Sequence, residues 1–381
     1  MIRPLAQKTI FNIQPYVPGK PIDEVKRELG LKSVIKLASN ENPYGPSPRA
    51  LQALKRAARD INRYPDGDCF YLRQALAKRW QVPPQQLVFG NGSDEIIVLA
   101  VRVFVNPGDE VIIADPSFLI YGIAARIAGA DVKAIPLKDF SYDLAGMQKA
   151  VTGKTRIIFL GNPDNPSGQY LTQKQLEHFL NGLRENIIVL IDEAYYEYVR
   201  PKDYADSLGL LKKHKNIIVT RTFSKMYGLA GLRIGYGVAG EEITDCLNRI
   251  REPFNVNSLA QAAALACLAD QPYYRTIARK IERQREVLYR GARKLGLKYV
   301  ESYTNFVLID MRQPRRRRGQ DASGIAKALL GKGVIVRDMS FWGLKQFIRV
   351  TIGTETENKR FLNALTQILS FGQNLPRRTV L

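Results

Sequence analysis

Short apolar runs rich in β-branched residues alternate along this chain with longer stretches in which apolar positions recur every three or four residues. Val111-Ile112-Ile113, Val132 to Ile135, Arg156 to Leu160, Ile187 to Ile191 and Asn216 to Thr220 are each too short and too β-branched for a helix and predict buried strands. Gln86 to Phe89 predicts another, ahead of a helix over Glu95 to Phe104. Amphipathic stretches such as Leu171 to Leu183, opening on an N-cap signal at Thr172, predict helices between the strands. This alternation predicts an α/β fold whose mainly parallel central sheet is covered on both faces. Ligands of such sheets bind outside the carboxyl ends of the strands.

From about Ser258 the pattern changes. An Ala-rich, charge-rich stretch from Ser258 to Leu295 predicts one long helix. Strands at Phe306 to Asp310, Val334 to Arg337 and Phe347 to Val350 follow, with a helix near Gly324 to Leu330, which reads as a smaller α+β domain. The expected organisation is an arm with part of the small domain over 1–44, a large domain over 45–257 and the small domain over 258–381. Gln313 to Gln320, with Pro314 and the run Arg315 to Arg318, reads as an exposed loop.

Composition narrows the class. A chain of 381 residues exceeds one ordinary domain, and 45% hydrophobic with 24% charged residues is the balance of a soluble globular protein. No apolar run approaches the ~20 residues that span a bilayer, and Met1 to Gln14 lacks the apolar core of a secretory signal. Cys69, Cys246 and Cys267 are far apart and match no metal spacing, which suits a reducing cytoplasm. With only His178 and His214, no metal site is expected, and proton transfer falls to Lys, Tyr or a carboxylate. The net charge of +21 fits either a nucleic-acid footprint or a basic enzyme that handles anionic ligands. The basic residues are spread out, and no helix-turn-helix, zinc-finger or RNP pattern accompanies them, so an enzyme without a nucleic-acid partner is expected.

Four segments carry chemistry. Thr222 to Gly235, T-F-S-K-M-Y-G-L-A-G-L-R-I-G, follows a predicted strand and groups Lys225 with the hydroxyl of Ser224 and the guanidinium of Arg233 in a glycine-rich turn. Asp192 ends a buried apolar strand, where a carboxylate costs free energy unless it meets a partner. A protonated pyridine nitrogen is one such partner; seen alone, Asp192 reads as a helix N-cap. Gly161 to Gly168, G-N-P-D-N-P-S-G, is by itself a turn-rich loop. Gly90-Asn91-Gly92-Ser93-Asp94 leads into a helix whose first N–H groups suit a phosphate, or simply carries a Ser or Asp cap.

Together these segments resemble the fold-type-I, aspartate-aminotransferase-like enzymes that use pyridoxal 5′-phosphate (PLP), through S-K-x-x-G-L-A-G-x-R with D-x-x-Y and N-P-x-N-P-x-G upstream. The resemblance implies that fold, a large domain with a small α+β domain. It implies that Lys225 carries the cofactor as a Schiff base and that Asp192 pairs with the pyridine nitrogen. Asn165 and Tyr195 would bind the phenolic oxygen; Ser224, Arg233 and the Gly92-Ser93-Asp94 turn would bind the phosphate. Tyr121, in P-S-F-L-I-Y, fits the aromatic that stacks on the ring, the other reading being a core tyrosine.

The resemblance covers nearly the whole chain and narrows to the histidinol-phosphate aminotransferases. Gln14 to Lys20 looks like their P-Y-x-P-G-K arm, Ser39 to Pro48 like N-E-N-P-x-G-P-S-P, and Arg63 to Asp66 like R-Y-P-D. By that likeness Tyr64 reaches the cofactor phosphate of a neighbouring subunit in a homodimer. Arg349, in R-V-T-I-G, would take the phosphate of one substrate and a carboxylate of the other, assisted by Arg337, with Tyr16 and Asn42 as further substrate contacts. Structural salt bridges are the other reading of both arginines. The departures are Asp164 for Asn, Ser167 for Thr, and Met226-Tyr227 after the lysine, a change expected to reshape the pocket wall. The implied activity is transamination between L-histidinol phosphate and 2-oxoglutarate in histidine biosynthesis. Aromatic amino-acid aminotransferase and threonine-phosphate decarboxylase remain alternatives. A DNA-binding regulator with a transaminase-like domain lacks room for its extra N-terminal domain.

Overall fold

A computed structural model describes residues 5–6, 8–15, 19–312 and 321–371. In chain order its strands are β1 (Ile35–Leu37), β2 (Leu87–Gly90), β3 (Glu110–Asp115), β4 (Asp131–Pro136), β5 (Thr155–Gly161), β6 (Ile188–Asp192), β7 (Ile217–Thr222), β8 (Gly235–Ala239), β9 (Tyr299–Val300), β10 (Phe306–Asp310), β11 (Val334–Asp338) and β12 (Phe347–Thr351). The chain divides into two compact units, Met1–Tyr16 with Tyr44–Ile277, and Val17–Pro43 with Ala278–Leu381.

The larger unit holds a seven-stranded sheet in the order β2-β8-β7-β6-β5-β3-β4. Only β8 runs against its neighbours. Its inner strands are buried almost throughout, as a parallel sheet covered on both faces requires. On one face Ile96, Ile97, Val111, Phe159, Leu190 and Ile218 form a continuous core. The strand β8, G-Y-G-V-A, carries no sequence signal because glycine weakens strand propensity. The structure shows why glycine is there: a Cβ on Gly235 would lie 2.4 Å from the Ser93 nitrogen.

Thr172 caps the helix Gln173–Asn181 in a capping box with Gln175, as expected. The stretch expected as one helix over Ser258 to Leu295 is two, Ser258–Leu268 and Gln271–Lys294. Pro272 explains the break, because a residue without an N–H is tolerated only in a helix's first turn. The first of these helices buries Ala260, Ala263, Ala264 and Cys267 and packs on the helix Pro48–Ala57. It therefore belongs to the larger unit, and the division falls later than the expected 258.

The smaller unit holds a second sheet, β1-β11-β12-β10-β9, in which β1 pairs parallel to β11 and the other pairings are antiparallel. The helices Ile22–Leu29, Ala322–Gly331 and Glu355–Phe371 belong to it, with the greater part of Gln271–Lys294. Among the described residues, no helix is long and apolar enough to cross a membrane.

Candidate active site

The four marked segments meet along the carboxyl edge of the larger sheet. Asn91-Gly92-Ser93 follows β2, Asn162 to Gly168 follows β5, Asp192 closes β6, and Ser224-Lys225 follows β7. Because β8 is reversed, its start pairs with the ends of β2 and β7, Gly90↔Gly235 and Thr222↔Gly235. That brings Arg233, just ahead of β8, to the same edge.

One end of the edge is built for an anion. The helix Ser93–Phe104 begins here, and its first-turn N–H groups lack intrahelical acceptors. Arg233 Nη2 lies 2.7 Å from Asp94 Oδ1, and its Nη1 lies 3.5 Å from Ser224 Oγ. The Asp94 carboxylate thus aims the arginine and is not itself a phosphate donor; what the residue can offer a phosphate is its backbone N–H. Gly92 has φ +94°, and a Cβ there would lie 2.3 Å from Arg233 Nη2 and 2.2 Å from Asp94 Oδ1. A glycine that keeps a helix N-terminus, a hydroxyl and a guanidinium clear fits the phosphate of PLP. Gly92→Ala is expected to weaken PLP binding by about tenfold or more, the loss of one hydrogen bond to a charged group. Equilibrium dialysis of the apoprotein measures it.

The other end is acidic. Asp192 is 6% exposed; Oδ2 accepts from Tyr121 Oη at 2.9 Å and Oδ1 from Thr220 Oγ1 at 3.1 Å. Burial pushes its carboxyl up to about 6, against the pull of those hydrogen bonds and of the Ala194 N–H. The N-cap reading is set aside, since the helical turn that follows, Tyr196–Tyr198, has Tyr195 at its N-cap position. A buried carboxylate of this kind fits a protonated pyridine nitrogen.

The expected stacking role of Tyr121 is corrected. Its ring lies 2% exposed and parallel to Phe159 at 4.7 Å, so it is a core residue whose hydroxyl supports Asp192. Helical phase held the signal: Tyr121, Ala124 and Ala125 form the buried stripe of the helix Leu119–Ile127. Phe118, at the N-cap of the same helix, is partly buried and sits edge-on to Tyr121 at 5.5 Å.

Lys225 is partly buried, with Nζ 5.8 Å from the ring centre of Tyr195. Gly228 has φ +70°, and a Cβ there would lie 2.6 Å from the Gly45 carbonyl carbon, so the Lys225 turn crosses the Gly45-Pro46 backbone directly. Met226 and Tyr227 are almost fully buried, with the Tyr227 ring against Tyr274. They are interior residues rather than the pocket wall expected of them. Asn165 sits partly buried in its loop, which Asp164 closes by accepting from Tyr142 Oη at 2.9 Å and from the Ser167 nitrogen at 3.0 Å.

In the smaller unit Arg349 and Arg337 are register partners on β12 and β11. Arg349 is buried, donates to the Ala38 carbonyl at 3.3 Å and lies over the rings of Phe306 and Trp342. Arg337 lies over the same indole at 4.8 Å. Asn42 is buried in this unit too. Tyr64, in the larger unit, is 82% exposed and stacks on Phe254 at 4.7 Å. Tyr16 and Arg315 to Arg318 lie outside the described residues. No cluster of His, Cys, Asp and Glu among the described residues could hold a metal ion.

The family model "Aminotransferase class I and II" matches residues 32–365. The chain is 47% identical to the histidinol-phosphate aminotransferase of Moorella thermoacetica, over 96% of this chain and 94% of that one. It is 43% identical to histidinol-phosphate aminotransferase 2 of Carboxydothermus hydrogenoformans, over 96% and 99%. Among solved structures it resembles the histidinol-phosphate aminotransferase from Sinorhizobium meliloti in complex with pyridoxal-5′-phosphate, with a TM-score of 0.88 and 30% identity over 96% and 98% of the two chains.

Proposed function

Because the chain belongs to the class I and II aminotransferases, we propose that it transfers the amino group of L-histidinol phosphate to 2-oxoglutarate. The products are imidazole acetol phosphate and L-glutamate, a step of histidine biosynthesis, and the cofactor is PLP. The observation that carries the substrate is the 47% identity, over nearly the full length of both chains, to a histidinol-phosphate aminotransferase.

Bound at the carboxyl edge, PLP supplies an electron-accepting ring conjugated to the nitrogen being transferred. The chain supplies the rest. Arg233, Ser224 and the amides of the Gly92-Ser93-Asp94 turn hold the phosphate, and Asp192 keeps a proton on the ring nitrogen. Asn165 and Tyr195 hydrogen-bond the phenolic oxygen. The Lys225 amine would anchor the cofactor and, once displaced by the substrate, would take up and hand on the proton of the substrate's α-carbon. Arg349, assisted by Arg337, binds the anionic end, with Tyr16 and Asn42 as further substrate contacts. A guanidinium fork accepts phosphate and carboxylate alike, which two chemically different substrates require.

A homodimer is part of this reading. The exposed aromatic surface at Tyr64, Phe70 and Tyr71 supports it, being more apolar than water-facing surface needs. Cytoplasmic residence is supported by the free state of Cys69, Cys246 and Cys267.

Arg349→Gln is expected to lower kcat/KM for L-histidinol phosphate by about 100-fold, with Arg349→Lys recovering only part because ammonium lacks the planar fork. Steady-state kinetics against both substrates check this. The deciding assay for the function follows L-glutamate formation from L-histidinol phosphate and 2-oxoglutarate on the PLP-loaded protein. L-Phenylalanine and L-threonine phosphate are run beside it; faster turnover of either overturns the substrate assignment.

A further inference from the structure

One face of the β6–β7 pair carries Asp192 and Thr220, register partners joined side chain to side chain. Strand alternation sends the next residue of each strand to the opposite face. There Glu193 and Arg221 form an ion pair that no step above uses. Arg221 Nη2 and Nε lie 2.7 Å and 2.8 Å from Glu193 Oε2, and the two side chains are 3% and 0% exposed. The guanidinium lies over the rings of Tyr196 at 3.6 Å and Trp80 at 4.2 Å.

The pair is tied to β6, β7 and the loop after β5, three of the elements that carry a cofactor ligand on this edge. Glu193 follows Asp192, and Tyr196 follows Tyr195. Arg221 stands four residues before Lys225. Tyr204 Oη lies 3.3 Å from Glu193 Oε1 and also donates to the carbonyl of Asn162, where the loop bearing Asn165 begins. Tyr236, the register partner of Arg221 on β8, accepts from Trp80 Nε1 at 2.9 Å. Net stability is a poor reason for such a pair, since well-packed apolar groups often replace buried ions without loss. What apolar groups cannot supply is the directional hold of a guanidinium fork closed on one carboxylate oxygen between strand ends.

We propose that Glu193 and Arg221 are positioning residues for the transamination site. Their ion pair fixes the spacing of the strand ends that present Asp192, Tyr195, Lys225 and the Asn165 loop. The proposal rests on the function stated above. Removing one partner alone leaves a buried unpaired charge and threatens the fold. The test therefore uses Glu193→Leu with Arg221→Met, which keeps apolar bulk on both sides, beside the conservative Arg221→Lys.

Thermal unfolding of the double variant is expected to stay close to wild type. Its affinity for PLP, measured by equilibrium dialysis, is expected to fall about tenfold, and the visible circular dichroism of the bound cofactor to weaken. With the cofactor saturating, kcat is expected to fall about 100-fold, the scale of an ångström-sized misplacement, while KM for either substrate stays within about twofold. Arg221→Lys keeps the charge without the fork and is expected to recover part of kcat and of the dichroism.

A folded double variant with wild-type PLP affinity, dichroism and kcat overturns the proposal and leaves the function standing. Should the double variant not fold, wild-type kcat and dichroism in Arg221→Lys overturn it equally. A wild-type chain that takes up no PLP overturns the function, and the positioning role with it.

Discussion

Lys225→Ala is expected to lose transamination by at least about ten-thousandfold, because it removes a covalent anchor and a proton carrier together. Neither histidine stands ready to replace it. His178 lies in the last turn of the helix Gln173–Asn181, and His214 lies ahead of β7, at the opposite end of that strand from Lys225. The cofactor should still bind through the anion end, since Arg233, Ser224 and the start of the helix Ser93–Phe104 are untouched. PLP retention with loss of the lysine-bound visible band, followed by spectrophotometry and rapid-mixing kinetics, is the expected pattern. Partial rescue by added small amines would separate the proton-carrying role from the anchoring one. Near-normal turnover in the variant would remove Lys225 from the chemistry altogether.

Asp192→Asn is expected to move activity and stability in opposite directions. The amide cannot hold a proton on the ring nitrogen, so kcat should fall by about a thousandfold, the order of a misassigned charge at a preorganised site. In the apoprotein the same change relieves strain. Burial raises the Asp192 carboxyl from 3.8 to about 6 in the folded chain. A group whose pKa is raised on folding binds its proton more tightly in the folded state. Folding stability therefore declines as pH rises from about 4 to about 6 and stays lowered above that window. The shift corresponds to about 3 kcal/mol at neutral pH. Apo Asp192→Asn should exceed apo wild type by about that much at pH 8 and by much less toward pH 4. Urea unfolding of the two apoproteins across pH measures the difference. A gap that does not grow with pH would falsify the assignment of the strain to Asp192.

Much of this site was legible because its residues end strands that announce themselves. Runs such as Ile187 to Ile191 combine β-branching with brevity, and the groups that follow them had to meet at one edge of a parallel sheet. What stayed hidden depended on packing at a distance. The strand β8 carried no signal because Gly235 and Gly237 lower strand propensity, and the reason for glycine lies on Ser93 and Val88, far away in the chain. Tyr121 was misjudged because the run P-S-F-L-I-Y does not show where its helix begins: Phe118 is the N-cap, with extended backbone, and Tyr121 lies inside the helix on its buried stripe. The Glu193–Arg221 pair left no mark either. Adjacent charged and apolar letters do not reveal that two strands will pair in register and place those charges back to back.

The reversed strand also sets an order of assembly. Register pairing of Gly90 with Gly235 joins positions separated by much of the larger unit, and contacts of such sequence separation form late because a long loop must close first. Ser93 belongs to the early half of that loop, and Arg233 arrives only with its far end. On a ribosome the lysine, the acid and the helix can all be made before β8 docks, yet the two sides of the phosphate cup are still apart. Capture of the cofactor is therefore a late event of biogenesis, and a nascent chain stopped before Arg233 should carry the chemistry but lack the guanidinium side of the phosphate cup.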